Sequence, residues 1–416
     1  MLTSGMGWVE RTIKKIAATA VAAGLLLALM SPVPVYADSG LEIVHSSSVT
    51  TFPYQIDFNI QAESSVDITD VRLHYRIDQD SFAVVTSEVI IEFTPDKSID
   101  AYWTMDMIKS GGLPSGTEIE YWWTLADAAG GTAQTEIYQI RFDDNRYQWE
   151  DISQGDVDIY WYNGDEDFAA EIMQAAQQAL VRLAADTGAH LERPVRLYVY
   201  ASSADLRAAM IFPQEWTGGV AYTTYGVVAI GIGTSNLEWG KRAIVHELTH
   251  LVTHQMTYNP YSSIPVWLNE GLSMYAEGEM EPVFTSYLEQ AVLNDTLISV
   301  RSLASPFSAI SQKSYLSYAQ SLSLVHFLID NYGQENMHEL LSVFKQGSGY
   351  DTALEAVYGF DMDGLDALWR DYISSVYKTT QKASQAPLVV LYAAGAAAVL
   401  LVAGIAGGKC LWRRGQ

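Results

Sequence analysis

The chain has 416 residues, with 49 acidic against 24 basic side chains and a formal net charge of −25. So acidic a chain repels phosphates, which excludes nucleic acid and anionic lipid headgroups as partners of its surface. A 49% share of hydrophobic residues supports sizeable cores, and the one cysteine, Cys410, leaves everything before it without disulfides or thiol chemistry.

Residues 1–37 read as a secretory signal peptide. Arg11, Lys14 and Lys15 precede an apolar run from Ile16 to Met30, and Val35-Tyr36-Ala37 offers a small-residue exit with cleavage after Ala37. An uncleaved anchor is the alternative. Residues 41–145 then alternate with period two, as in Tyr54 to Ile60, Val71 to Ile77, Val84 to Phe93, Ile119 to Leu125 and Ile137 to Phe142. Turn signals at Pro95-Asp96, Gly111-Gly112, Pro114-Ser115-Gly116 and Gly130-Gly131 separate them. About seven strands in about 100 residues predict an antiparallel β-sandwich of the immunoglobulin or fibronectin type. Tyr121-Trp122-Trp123 is expected in its core and between its sheets.

A second, α+β domain is predicted over 148–378. It opens with a strand from Val157 to Tyr162 and a helix from about Asp165 to Asp186, striped by Phe168, Ile172, Ala176, Leu180 and Leu183. A strand over 194–201 follows, then a β-rich apolar stretch from Gly219 to Ile232. Next comes His246-Glu247-Leu248-Thr249-His250. On a helix, at about 100° per residue, His246, Glu247 and His250 share one 100° arc, while Ile244, Leu248, Leu251 and Val252 take the opposite side. Two imidazoles one turn apart can hold one zinc ion, and the carboxylate beside them is placed to take a proton from water on that ion. Glu270, in Trp267-Leu268-Asn269-Glu270-Gly271-Leu272, is the third ligand, carried on a second helix that begins near Pro265. His254 is rejected because eight residues at about 1.5 Å each put it roughly 12 Å from His246 along the axis. A third histidine supplied by a glycine turn fails too, since Thr253 and Met256 stand where Gly and His are needed. Beyond Glu270 the chain is predicted helical to about Tyr377, broken at Gly347-Ser348-Gly349 and Gly359.

These two motifs resemble those of the gluzincin zinc metallopeptidases, specifically the peptidase MA-like domains of membrane-attached bacterial proteins. The resemblance runs from about Trp149 to Tyr377 and includes Tyr318-Ala319-Gln320-Ser321-Leu322-Ser323-Leu324-Val325-His326-Phe327-Leu328. It implies zinc held by His246, His250 and Glu270, with Glu247 as general base. It also implies a tyrosine that steadies the oxyanion, with Tyr318 the candidate, Tyr315 the runner-up and a core tyrosine the competing reading. In such domains an edge strand upstream of the metal helix pairs with extended substrate, which suits the Gly219–Ile232 region; an internal strand is the alternative.

Two departures from relatives are visible. The position four after the ligand glutamate, acidic in thermolysin-like chains, is Met274, so Ser273 or Glu277 must orient a ligand histidine. The segment 216–222 lacks the acid with which aminopeptidases capture a free amine, which favours an endopeptidase. Glu238 and Glu215 are the residues able to overturn that choice by folding into the cleft.

Residues 379–386 suit a flexible tether. The span 387–408 contains a charge-free run from Leu388 to Gly408, long enough for a bilayer, and Lys409, Arg413 and Arg414 mark the tail 409–416 as cytoplasmic. The expected protein is therefore a single-pass cell-membrane zinc peptidase, its catalytic domain extracytoplasmic and its partner a peptide or protein substrate. A zinc hydrolase of non-peptide amides, or a cell-surface binding or adhesion protein with a vestigial peptidase domain, are the competing functions.

Overall fold

A computed structural model describes residues 40–377 apart from residues 216 and 309. The expected signal peptide, tether, membrane span and tail, and Cys410, lie outside the described residues. Among the described residues no helix is long and apolar enough to cross a membrane.

The N-terminal region forms seven strands: β1 (Glu42–Thr51), β2 (Gln55–Ile77), β3 (Ser87–Ile90), β4 (Asp96–Asp106), β5 (Thr117–Asp127), β6 (Thr132–Gln134) and β7 (Tyr138–Phe142). The alternating stretches 54–60 and 71–77 are both parts of β2, and β1, β4 and β6 lie outside the stretches named from the sequence. All their pairings are antiparallel. Strand β2 is 23 residues long and serves both halves of the sheet. Its first half pairs with β1 and β4; after an irregularity between Glu63 and Ile68 its second half pairs with β3 and β5. Hydrogen bonding thus joins all seven strands through one strand. Inward residues from both halves share a core, where Phe58 meets Tyr121 edge-on with ring centroids 4.9 Å apart. Tyr121 and Trp123 point into this core, but Trp122 does not. Successive side chains on a strand face opposite ways, so Trp122 lies on the outer face beneath His74 and Arg76.

The second sheet runs β11 (Gly219–Tyr222), β12 (Val227–Gly231), β10 (Val195–Tyr200), β9 (Val157–Trp161), β8 (Glu150–Gln154). The middle three strands are parallel and the two edges antiparallel. The parallel step from β9 to β10 needs a crossover, which helix α1 (Glu166–Thr187) supplies. Its start is capped by Asp165, whose carboxylate accepts from the Phe168 N–H, and Gly188 closes it at φ 69°. The expected single strand over 219–232 is two strands. A turn at Thr223–Tyr225, closed by Gly226 at φ 62°, folds the segment into a hairpin, so only β11 is an edge.

Both faces of this sheet are covered. Val195, Leu197, Val199, Val228 and Ile230 pack against the helices, whereas Tyr198, Tyr200, Val227 and Ala229 join the core of the N-terminal strands. The N-terminal region therefore acts as the second cover that a mainly parallel sheet requires.

The remaining long helices are α2 (Leu237–Thr257), α3 (Val266–Glu277), α4 (Pro282–Leu293), α5 (Ser311–Tyr332), α6 (Gln334–Lys345) and α7 (Tyr350–Tyr358), followed by a helix over 362–377; the others among the described residues span six residues or fewer. Helices α3 and α5 cross closely at Gly271. A Cβ there would stand 2.5 Å from the Ser321 carbonyl oxygen and 2.7 Å from the Val325 side chain. Only a hydrogen fits, so Gly271→Ala must push α5 away. It is expected to lower stability by about 1–3 kcal/mol, the usual cost of overpacking. A denaturant-unfolding midpoint equal to the parent's would show that the contact is slack.

Candidate metal centre

Helix α2 is built from two stripes. Ile244, Leu248, Leu251 and Val252 are fully buried, while His246, Glu247 and His250 emerge on the other side half-buried. Helix α3 crosses this second stripe and brings Glu270 to it. Nitrogen atoms of His246 and His250 and an oxygen of Glu270 all lie within 4.8 Å of one another. Glu270 Oε2 is 3.3 Å from His246 Nε2 and 3.7 Å from His250 Nε2. It is buried and has no hydrogen-bond partner.

These features test whether zinc fits. Ligand atoms about 2.0–2.2 Å from a tetrahedral zinc stand roughly 3.3–3.6 Å apart, close to the spacing here. Two histidines and a glutamate are a donor set that leaves a fourth position open. A buried carboxylate oxygen without a hydrogen bond is costly unless a cation completes it.

The outer nitrogen of each histidine is also held. His246 Nδ1 lies 2.7 Å from Glu277 Oε1, and Ser273 Oγ lies 3.2 Å from His250 Nδ1. Such partners fix the ring and leave Nε2 free for the metal. At about 100° per residue, Ser273 and Glu277 fall roughly 60° and 20° to one side of Glu270, and Met274 roughly 40° to the other. That is why both orienting residues come from the first pair and why Met274 goes into the core. Glu277 is itself fixed by Arg242, whose Nη2 donates to its second oxygen at 3.0 Å; Arg242 Nη1 reaches Glu281 at 2.6 Å.

The electrostatics show a site short of positive charge. Burial disfavours a charged His246, but Glu270 and Glu277 outweigh it and carry its pKa up to about 10. Burial would raise the Glu270 pKa, yet the two histidines hold it below the ordinary carboxylate value. Glu247 is different: burial raises its pKa, opposed by the histidines and by an N–H from Ala221. A carboxylate so raised is a better base than one in water.

Tyr318, rather than Tyr315, faces this centre. Its ring centroid lies 6.4 Å from that of His246, and burial followed by Glu270, Glu247 and Glu277 raises its pKa. Tyr315 is 39% exposed and stacks on Tyr287 instead. His254 stays apart from the three ligands and meets Asp80, its Nε2 3.2 Å from Oδ2. Glu238 is exposed and paired with Lys241, and Glu215 is exposed, so neither supplies an acid to the cleft.

Three participants went unnoticed in the sequence. Arg242 precedes His246 by one helical turn, which was the available signal for a residue on the same face. Gly219 and Ala221 touch Glu247: a Cβ on Gly219 would stand 2.9 Å from Glu247 Oε1. Their signal was the pair Gly218-Gly219 opening a short strand, since glycine marks a close approach.

Residues 175–375 match the model of the Peptidase MA superfamily. The resemblance read from the two zinc-peptidase motifs therefore holds over that segment. No curated protein matches the chain. Among solved structures, OgpA from Akkermansia muciniphila is 13% identical with a TM-score of 0.21, over 27% of this chain and 31% of that one. The match thus spans about a third of OgpA. Legionella pneumophila aminopeptidase A, solved with aspartic acid, is 10% identical with a TM-score of 0.36, over 80% of this chain and 50% of its own. A two-domain M1 zinc metallopeptidase, bound to L-arginine, is 11% identical with a TM-score of 0.35, over 79% and 94%.

If Glu277 orients His246, Glu277→Ala should weaken zinc binding by about 10–100-fold, the usual effect of losing such a partner. Competition against a chelator of known affinity measures this. An affinity unchanged within about twofold would remove Glu277 from the centre.

Proposed function

We propose that this chain is a zinc endopeptidase, tethered to the membrane by residues 387–408, with its catalytic domain outside the cell and an immunoglobulin- or fibronectin-like module beside it. One observation carries the proposal. His246, His250 and Glu270 converge on a point flanked by Glu247, a buried carboxylate that is not among the three converging atoms.

Zinc held by those three residues would polarise a peptide carbonyl and lower the pKa of water toward about 7. Glu247 takes the attacking water's proton and later delivers it to the departing amine. Its burial and its Ala221 contact keep it pointed at that task. Tyr318 donates its hydroxyl to the oxygen on which charge develops.

Strand β11 supplies a place for the substrate chain. Gly218 O accepts from Gly231 N at 2.9 Å, so its backbone faces β12. Alternation then turns the N–H and C=O groups of Gly219 and Ala221 away from β12, toward the metal helix. Those of Val220 and Tyr222 face β12. An extended peptide can add to such an edge through its backbone, which does not depend on where the peptide ends. The described residues of the 216–222 segment carry no carboxylate to hold a free amine, and Glu215 and Glu238 are exposed. Both observations favour cleavage of internal bonds.

Glu247→Gln should retain zinc while losing hydrolysis by about a hundredfold or more. Elemental analysis and a fluorogenic peptide assay on the same sample would separate the two effects, and near-parental activity would end the general-base assignment. A quenched peptide blocked at both termini should be cut about as well as the same peptide with a free amine. Cleavage of the free-amine form alone would refute the endopeptidase reading and leave the zinc centre standing.

A further inference from the structure

The loop after β2 leaves the N-terminal sheet and closes onto the catalytic domain. Asp80 is its contact residue. Its Oδ2 stands 3.2 Å from His254 Nε2, near the end of α2, and 3.2 Å from Arg193 Nη2. Its backbone N–H donates to the Thr224 carbonyl at 2.7 Å, and Arg193 Nη2 donates to the same carbonyl at 2.9 Å. Two residues on, Phe82 stacks on Tyr258 with centroids 4.3 Å apart and planes 11° from parallel. The base of the loop is secured by Asp78 N, which donates to Glu118 O of β5 at 2.9 Å.

Thr224 is the middle of the turn that joins β11 to β12. The loop therefore grips both things that fix β11 relative to Glu247: the hairpin turn at one end of the strand and the last turn of α2. Burial holds the His254 pKa below the ordinary histidine value despite Asp80, so the charge that answers Asp80 is Arg193; with Asp80 only 17% exposed this pair is less screened by salt than a surface ion pair. The loop springs from the N-terminal sheet and the turn belongs to the second sheet, so the two are tied through Asp80: its backbone N–H bonds Thr224 directly, and its carboxylate holds Arg193, which donates to the same carbonyl.

We infer that Asp80 is a positioning residue for the peptidase site, holding strand β11 in register over Glu247 through Arg193, His254 and the Thr224 turn. This rests on the peptidase reading for its effect on hydrolysis, but not for its effect on the strand. The N-terminal region is then a working part of the substrate edge. A longer substrate, which uses more of β11, depends on Asp80 more than a short one does.

The test uses the full chain carrying Asp80→Ala, with Asp80→Asn as the variant that keeps shape and removes charge. Amide exchange of residues 219–226 should speed up by about tenfold, as for a locally loosened segment. Zinc content and exchange within β9 and β10 should stay at parental values. KM for a long blocked peptide should rise about fivefold or more with kcat within about twofold, the sign of lost uniform binding. KM for a short peptide should change little. Unaltered exchange at 219–226 in both variants would overturn the inference, as would an equal KM change for short and long peptides. If Asp80→Ala does not fold, Asp80→Asn gives the same readouts. A parent that cleaves no peptide would count against the peptidase reading alone, since exchange still reports on the strand.

Discussion

Everything near the centre follows from placing three half-buried carboxylates, Glu247, Glu270 and Glu277, around two imidazoles. An unpaired buried charge costs several kcal/mol, so each carboxylate needs a defined answer. Glu277 has Arg242 on one oxygen and His246 on the other. Glu247 has the Ala221 N–H and a raised pKa. Glu270 has only the two imidazole Nε2 atoms nearby and an oxygen with no hydrogen bond. The residue that packing leaves unsatisfied is the one whose geometry suits a metal. An answer by a metal is stronger than an answer by a proton on His246, because it neutralises Glu270 and frees His246 to act as a ligand.

The surrounding fold keeps that arrangement from relaxing. Helix α2 is locked by a fully buried stripe of Ile244, Leu248, Leu251 and Val252. Helix α3 cannot tilt freely because Gly271 rests on the Ser321 carbonyl. That contact also places Tyr318, since Tyr318, Ser321 and Val325 lie along one stripe of α5 at three- and four-residue spacing. Gly271 thus couples Glu270 to the tyrosine that faces His246.

Spacing made the centre legible, and the third dimension hid the rest. Two histidines four apart and a glutamate at the start of a new helix announce themselves because helical geometry alone places them. Glu277 was readable only as one of two options, since choosing needs the crossing direction of α2 and α3. Gly219 and Ala221 were hidden because their importance comes from a strand lying across a helix. In the N-terminal strands the alternation was plain and all three residues of the aromatic run are buried, but membership of the run did not decide which face each takes: Trp122 lies opposite Tyr121 and Trp123, against His74 and Arg76. The turn at 223–225 escaped because Thr223-Thr224-Tyr225 lacks the Asn-Gly or Pro-Gly chemistry that marks tight turns; only Gly226 hinted at it.

The regions on either side of residue 148 are packed against each other. In β10 the sequence Val195-Arg196-Leu197-Tyr198-Val199-Tyr200 is apolar on both faces, which is the pattern of a strand covered twice. Its valines and Leu197 meet the helices; its tyrosines meet the N-terminal core, with Trp149 wedged edge-on against both at 5.3 and 5.1 Å. The fit is close enough that a Cβ at Gly116, which sits at φ +81°, would lie 2.2 Å from the Tyr198 hydroxyl. Large aromatic side chains held between two sheets resist relative motion because interiors are close-packed and have few alternative arrangements. The N-terminal strands and the sheet that carries β11 therefore move together. A strand edge so close to Glu247 that Gly219 leaves no room for a Cβ gains from a rigid backing, and the second cover of the sheet provides it.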